Sequence, residues 1–154
     1  MKKIILIIIL IILSFNTKIH ADNIKIIDGD TIIINKEKIR FSGIDTPELK
    51  QTCQKNNKIY YCGIKAKRIL TKKIGKNVPK CIKEGKDIYK RILAECFING
   101  KSLSTFLVRS GYAFAYRKYS QKFIKDEEYA KANNLGMWSM KFQYPWEYRK
   151  SINY

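Results

Sequence analysis

The chain has 154 residues, and its 31 Lys and Arg residues against 13 Asp and Glu residues give a formal net charge of +18. This length corresponds to a single domain with one hydrophobic core. The excess of positive charge favours a polyanionic partner, of which nucleic acid is the most common. The charge by itself would also be explained by solubility or by contact with an anionic membrane. His20 is the only histidine and lies in the N-terminal segment, so Ser-His-Asp catalysis, Cys-His catalysis and His-ligated zinc are excluded for the remaining residues.

Residues 1–21 have the organisation of a secretory signal peptide. Two lysines follow Met1, an unbroken apolar run covers residues 4–13, and the small residue Ala21 is suited to cleavage. A membrane anchor is the alternative, but the apolar run is much shorter than the roughly 20 residues that cross a bilayer. We therefore expect export to the periplasm or out of the cell. Cleavage would remove three lysines and no acid, which leaves 133 residues with a charge of +15.

The first half of the mature chain predicts three strands and a helix. β-Branched runs at residues 24–27 and 31–34 flank an Asp-Gly-Asp turn, and residues 38–44 predict a third strand that a Thr-Pro pair ends. Residues 49–61 are polar and irregular, which predicts a loop. From 63 to 74, apolar residues recur every four positions, which predicts a helix that a glycine ends.

The second half of the mature chain predicts two more strands and two more helices. Strands at residues 77–83 and 88–98 are followed by a short helix that Ser102 caps, and a last helix runs from 120 to 134. This element order is typical of an α+β, mainly β, domain. We expect a five-stranded OB-fold barrel with about three helices, over residues 22–140.

The tail, residues 141–154, mixes aromatic with basic side chains. Such a segment can stack on the bases of a single strand and contact its phosphates. More often the rings pack on the domain while the charges remain in water, which is the arrangement that we expect here.

An even number of cysteines in an exported chain predicts disulfide bonds. The cysteines are Cys53, Cys62, Cys81 and Cys96. Their spacing contains no C-x-x-C pair, which argues against a zinc site. Two disulfides are therefore predicted, and three connectivities are possible.

Five charged side chains could supply the chemistry of phosphodiester hydrolysis. Asp30 and Asp45 offer the hard oxygen ligands that calcium or magnesium prefers, and Glu48 could act on a water. Arg40 and Arg91 could each hold two phosphate oxygens with a planar guanidinium. Taken singly, each residue has a more ordinary explanation, because aspartates often brace turns and most glutamates and arginines are solvated.

The order of these residues along the chain is more specific than any one of them. The motifs are Asp28–Thr31, Arg40, Asp45–Glu48, Tyr89–Arg91, Leu107–Ala113 and Leu135–Trp138. This ordered set resembles the signature of the staphylococcal-nuclease (thermonuclease) family over the whole predicted mature chain. The cysteines and the Pro-Trp-Glu-Tyr-Arg run of the tail resemble the exported branch of that family in Gram-negative bacteria.

The resemblance implies a function and a role for each site residue. The implied function is a calcium-dependent, sugar-nonspecific nuclease that hydrolyses DNA and RNA and leaves 3′-phosphates, as a monomer without a stable protein partner. The Ca²⁺ ligands would be Asp30, Asp45 and the backbone carbonyl of Thr46. The catalytic residues would be Arg40, Glu48 and Arg91, and the nucleotide pocket would contain Tyr89, Tyr116 and Tyr119. The alternative is an OB-fold protein of the cell envelope that binds nucleic acid without cleaving it.

Two positions depart from the family pattern. Lys90 replaces a glycine, and Ile88 replaces a lysine that helps to hold phosphate in some members, so both changes bear on rate and affinity. The family fold would also place the segments of two cysteine pairs side by side. The disulfides that we favour are therefore Cys53–Cys62 and Cys81–Cys96.

Overall fold

The computed structural model describes residues 23–152. The predicted signal peptide, residues 1–21, lies outside the described residues, as do residues 22 and 153–154. The strands are β1 (Ile24–Ile26), β2 (Thr31–Ile34), β3 (Glu37–Phe41), β4 (Ile44–Asp45), β5 (Thr52–Lys55), β6 (Lys58–Tyr61), β7 (Lys80–Lys86), β8 (Ile92–Ile98), β9 (Lys101–Ser102) and β10 (Phe114–Ala115). The helices are α1 (Cys62–Ile74), α2 (Leu103–Arg109), α3 (Ile124–Ala132), a 3₁₀ turn (Gly136–Ser139) and α4 (Pro145–Ile152). None of these helices is long and apolar enough to span a membrane.

The main sheet has the strand order β1-β2-β3-β8-β7, with β9 paired to β8. Its neighbours are antiparallel except β3 and β8, which run parallel with Arg40 opposite Leu93. A parallel pair requires a long connection, which here carries β4 to β7 and α1. The predicted α+β class is confirmed. Within residues 23–152 no pairing joins β1 to β7, so hydrogen bonds do not close the sheet into a barrel.

The hydrophobic core lies between the sheet and the helices α1 and α2. Phe41 on β3 and Leu107 on α2 are completely buried in one cluster. On α1, Ala66, Leu70 and Ile74 are buried at intervals of four residues, which confirms the helix predicted there. Full burial of a Leu, Ile or Phe side chain stabilises the fold by about 1.5–3 kcal/mol. This packing fixes the position of β3, the strand that carries Arg40.

An aromatic cluster holds the tail against the domain. The ring centroid of Phe114 is 5.1 Å from those of Phe142 and Tyr144, 5.5 Å from that of Trp138 and 6.2 Å from that of Trp146. Phe114 itself is completely buried. Aromatic pairs such as these each stabilise the fold by about 0.5–1.5 kcal/mol beyond the effect of burying their apolar surface. The tail therefore lies on the domain through the rings that precede and begin α4.

Several segments differ from the sequence-based prediction. Residues 49–61 contain the hairpin β5–β6 rather than a loop, because Asn56 and Asn57 both adopt the positive φ of a tight two-residue turn. The tail contains α4, which begins at Pro145 in the first-turn position that proline tolerates. An eight-residue helix offers too few apolar repeats to be recognised by periodicity. The last predicted helix begins at 124 rather than 120, and β7 and β8 begin later than predicted.

Two disulfides connect elements that are close in sequence. Cys53 on β5 is bonded to Cys62, the first residue of α1. Cys81 on β7 is bonded to Cys96, which lies directly opposite it on β8. Within residues 23–152 no cysteine is unpaired.

Replacing Cys81 and Cys96 together by Ala is expected to lower the free energy of unfolding by about 3 kcal/mol, the typical effect of a bridge that closes a loop of about 15 residues. The two cysteines are 15 positions apart. Denaturant titration of the double variant against the wild type measures the loss. Peptide mapping without reduction checks the pairing, and a Cys53–Cys96 link or four titratable thiols would contradict it.

Candidate active site

Two aspartates are buried in one place although they are distant in the sequence. Asp30 ends a tight turn, in which its N–H donates to Asp28 Oδ1 at 3.0 Å, and Asp45 is the last residue of β4. The N–H of Thr46 donates to Asp30 Oδ2 at 3.1 Å. A Cβ added to Gly29 would lie 2.8 Å from Thr46 Oγ1, so only glycine allows this close approach. The Asp-Gly-Asp turn is therefore pressed against the Asp-Thr-Pro segment.

Arg40 joins the two carboxylates. Its Nη1 donates to Asp30 Oδ1 at 2.8 Å, and its Nη2 donates to Asp45 Oδ1 at 2.8 Å. Both acids therefore lie within the span of one guanidinium. They form a hard-oxygen donor pair that fits Ca²⁺ or Mg²⁺. Within residues 23–152 no group of three or more His, Cys, Asp and Glu side chains is placed to hold a metal ion.

Burial raises the pKa of the Asp30 carboxyl group to about 7. The charge of Arg40 opposes that shift, and the charges of Asp28 and Asp45 add to it. Burial lowers the pKa of Arg40, but the charges of Asp30 and Asp45 outweigh it, so the pKa of the guanidinium is raised. Further positive charge, such as a divalent cation, would stabilise the ionised form of Asp30.

Glu48 follows Asp45 by three residues and is held by the start of α1. Its backbone N–H donates to Gln51 Oε1 at 3.2 Å. Gly63 packs so closely that an added Cβ would lie 1.9 Å from the Glu48 carbonyl oxygen. The Glu48 side chain is 42% exposed and can therefore meet water. An accessible carboxylate next to a buried acid pair is suited to orient or deprotonate a water.

Arg91 lies in a separate turn just before β8, not on a strand as predicted. Its Nε donates to Asp87 Oδ2 at 2.6 Å, and Asp87 Oδ1 accepts the N–H groups of Tyr89 and Arg91 at 2.9 Å. Because Ile92 pairs with Ile39, the turn adjoins β3, the strand of Arg40. The structure therefore brings Arg91 to the neighbouring strand but pairs it with Asp87 rather than with the two buried aspartates.

The three tyrosines of the predicted nucleotide pocket occupy two places. The ring centroids of Tyr116 and Tyr119 are 4.9 Å apart, and the Tyr116 N–H donates to the carbonyl of Gly43 at 3.0 Å. Tyr89 is 74% exposed in the Arg91 turn, with its ring centroid 5.5 Å from the guanidinium carbon. One pair of rings and one separate exposed ring are thus available for stacking.

A sequence model of the family described as "Staphylococcal nuclease homologue" matches residues 38–140, which is more than half of the chain. The chain belongs to this family. The match includes Arg40, Asp45, Glu48 and Arg91 and begins after Asp30.

Relatives of this staphylococcal nuclease homologue include two endonucleases. The "Uncharacterized endonuclease" of Haemophilus influenzae is 31% identical over 123 residues, which cover 75% of this chain and 64% of that protein. The "SPbeta prophage-derived endonuclease YokF" of Bacillus subtilis is 33% identical over 128 residues, which cover 73% of this chain and 42% of that protein. The "Succinoglycan biosynthesis protein ExoI" of Rhizobium meliloti is 32% identical over 118 residues, which cover 73% of this chain and 61% of that protein. The chain therefore spans less than two thirds of the length of each of these three relatives.

The two departures from the staphylococcal nuclease pattern both lie in the Arg91 turn. Lys90 has a φ of 62°, the left-handed conformation that glycine adopts freely and other residues adopt at a cost. Its N–H donates to the Asp87 carbonyl at 3.0 Å, which holds the turn in this shape. Ile88 is 88% exposed, so it adds no packing. The turn therefore holds a lysine in a backbone conformation that glycine adopts more easily.

Arg149 is the site residue that sequence reasoning missed. It lies on α4, beyond the residues that match the nuclease family. Its Nη2 donates to Asp45 Oδ2 at 2.6 Å, and its Nη1 donates to Glu48 Oε1 at 2.8 Å. Burial lowers the pKa of Arg149, but hydrogen bonds and charges from these two acids outweigh burial and raise it. In the sequence, only the Pro-Trp-Glu-Tyr run before Arg149 marks this segment. That run does not indicate that Arg149 contacts acids more than 100 positions earlier.

Proposed function

We propose that this staphylococcal nuclease homologue is a calcium-dependent, sugar-nonspecific nuclease that hydrolyses phosphodiester bonds of DNA and RNA and leaves 3′-phosphates. The observation that carries the proposal is the contact of Arg40 with both Asp30 and Asp45 at 2.8 Å. A buried ionic group of this kind contributes little to stability compared with apolar packing, so a functional reason for it is favoured. The endonuclease names of two relatives support the same conclusion.

The metal would be bound by Asp30, Asp45 and the backbone carbonyl of Thr46. Hard oxygen ligands favour calcium over soft metals. Bound Ca²⁺ would polarise a phosphoryl oxygen and lower the pKa of an adjacent water. Thr46 is suited to this role by its position, because its N–H already donates to Asp30.

The protein's own side chains would then position and activate the reactants. Arg40 and Arg91 would bind the scissile phosphate and stabilise the charge that develops on its oxygens. Glu48 would accept a proton from the water whose oxygen attacks phosphorus. The bond between phosphorus and O5′ breaks, and O5′ takes a proton from solvent. The products are a 3′-phosphate and a 5′-hydroxyl.

The tyrosines would hold the nucleotides next to the scissile bond. Stacking on an aromatic ring is tolerant of sequence, because every base has a flat face. Tyr116 and Tyr119 would contact one nucleotide, and Tyr89 would contact another or its phosphate. Contacts to bases and phosphates do not read the 2′-hydroxyl, which is consistent with a substrate range of both DNA and RNA.

We place the protein in the periplasm or outside the cell. Residues 1–21 would direct export, residues 22–140 would form the nuclease domain, and residues 141–154 would be a basic, aromatic tail packed on that domain. The two disulfides are compatible with an oxidising compartment. A monomer without a stable protein partner would attract its polyanionic substrates through a net charge of +15.

Purified residues 22–154 are expected to cleave both DNA and RNA in calcium. A chelator is expected to abolish cleavage, because a guanidinium can balance the charge of the two carboxylates but cannot supply a metal-bound water. Gel assays of fragment length with end-group analysis for 3′-phosphate measure this. Full activity in excess chelator would contradict the proposed metal site. Binding of nucleic acid without any cleavage in calcium would instead support the binding-protein alternative.

A further inference from the structure

The helix α4 carries two side chains that occupy two parts of the proposed active site at once. Arg149 contacts Asp45 and Glu48, and the ring of Trp146 lies on the ring of Tyr116. The two α4 residues are three positions apart, so they lie on one face of the helix. Both contacts therefore form or break together as α4 docks or leaves.

The Arg149 guanidinium uses the carboxylate oxygens that a cation and its water would need. Asp45 Oδ2 accepts Arg149 Nη2 at 2.6 Å, and Asp45 Oδ1 accepts Arg40 at 2.8 Å and Arg149 Nη1 at 3.3 Å. Glu48 Oε1 accepts Arg149 Nη1 at 2.8 Å. Both oxygens of Asp45 accept hydrogen bonds from Arg149, so the Arg149 guanidinium and a cation bound to Asp45 would compete for the same carboxylate.

Trp146 covers the tyrosine to which a base would bind. Its ring is parallel to that of Tyr116, with an interplanar angle of 2° and a centroid distance of 5.5 Å. Tyr144 also stacks on Trp146, with a centroid distance of 4.6 Å and an interplanar angle of 12°. A base held by an aromatic platform adopts this kind of parallel arrangement. Trp146 therefore occupies a position that the first nucleotide would take.

The free energy needed to withdraw Arg149 from the two acids depends on which positive group replaces it. The Arg149 side chain is 34% exposed and Glu48 is 42% exposed, so that arm of the contact is screened by water and weak. Asp45 is only 1% exposed, so withdrawing Arg149 alone would leave a buried carboxylate short of positive charge. A cation that enters as Arg149 leaves removes this cost. Release of α4 is therefore coupled to cation binding.

We propose that α4 competes with the cation and the substrate for the active site. Arg149 takes the place of the divalent cation, and Trp146 takes the place of a base. This inference rests on the proposed calcium site. The cation and the substrate displace α4, and Arg149 sets the calcium concentration at which the site fills. Thermodynamic linkage requires the reverse effect as well: a bound cation weakens the docking of α4.

Two measurements on residues 22–154 test this competition, calorimetric titration with calcium and hydrogen exchange of the backbone amides of residues 145–152. Arg149→Ala is expected to tighten calcium binding by at least about fivefold, the lower end of typical coupling between sites. Lys150→Ala is the matched control, because it removes the same charge from an exposed position of the same helix, and its calcium affinity should stay near that of the wild type. In the wild type, calcium should lower the protection of residues 145–152.

The outcomes separate this inference from the proposed function. Equal or weaker calcium binding by Arg149→Ala, or unchanged protection of α4 in calcium, would overturn the competition while leaving the calcium site intact. If Arg149→Ala instead lost affinity for a non-cleavable DNA with calcium affinity unchanged, Arg149 would be a substrate-binding residue. If neither the wild type nor the variant bound calcium, both the competition and the proposed metal site would fail.

Discussion

Arg40→Lys is expected to lower the rate of DNA cleavage by about 10²–10³-fold, the usual loss when one donor to a transition state is removed. Lysine keeps the charge but cannot bond to Asp30 and Asp45 with two separate nitrogens in one plane. One buried carboxylate then lacks its partner, so the free energy of unfolding should also fall, by about 1–3 kcal/mol. Calcium should restore part of this stability, because the cation compensates the same carboxylates.

The control for Arg40→Lys is Arg91→Lys, which changes the same chemical group at a site without buried acids. Arg91 pairs with Asp87 in a surface turn, so its replacement should lower the rate with little loss of stability. Steady-state cleavage and thermal unfolding, each with and without calcium, compare the two variants. Wild-type turnover in Arg40→Lys would show that this arginine has only a structural role.

Glu48→Gln is expected to lower the cleavage rate by about 10²–10⁴-fold, the range for losing a general base. Affinity for single-stranded DNA should be kept, because the role proposed for Glu48 is to act on water rather than on the polymer. Removing a negative charge from a strongly basic protein should, if anything, strengthen phosphate binding, which remains steeply dependent on salt. The variant also keeps the shape of the site, since glutamine replaces an oxygen by a nitrogen of nearly equal size.

Paired measurements decide this prediction, namely the cleavage rate and the DNA affinity of wild type and Glu48→Gln at one salt concentration. A parallel loss of rate and affinity would reassign Glu48 to substrate or metal binding. Equal binding by both proteins with no cleavage by either in calcium would mean that the nuclease proposal fails.

The parts of the site that the sequence predicted are those carried by local turn chemistry. The sequence marks the Asp-Gly-Asp turn by a permissive glycine and the Asp-Thr-Pro segment by a restricted proline, and the structure packs the two segments together. The strand with Arg40 was also predictable from its alternating pattern. No local pattern could predict that the Arg40 guanidinium contacts both aspartates. That contact depends on the pairing of β2 with β3 and on the position of β4.

Two parts of the structure were missed, one because of tertiary packing and one because of local turn chemistry. The helix α4 is short, and its placement follows from aromatic contacts with Phe114 rather than from periodicity. Arg149 consequently looked like an ordinary basic residue of the tail. The loop predicted before α1 was also wrong, because two asparagines rather than glycines supply the positive φ of the hairpin turn. The position of α4 thus depends on residues far along the chain, whereas the hairpin depends on a local turn.

The parallel pairing of β3 with β8 also bears on the order of events in folding. Ile39 pairs with Ile92, so the strand of Arg40 obtains its second neighbour only after a long intervening segment has been closed into a loop. Non-local pairing of this kind slows folding. A nascent chain that ends before residue 98 contains Asp30, Arg40, Asp45 and Glu48 but lacks the complete β8 beside them. Assembly of the active site is therefore a late step, completed after most of the chain has been made.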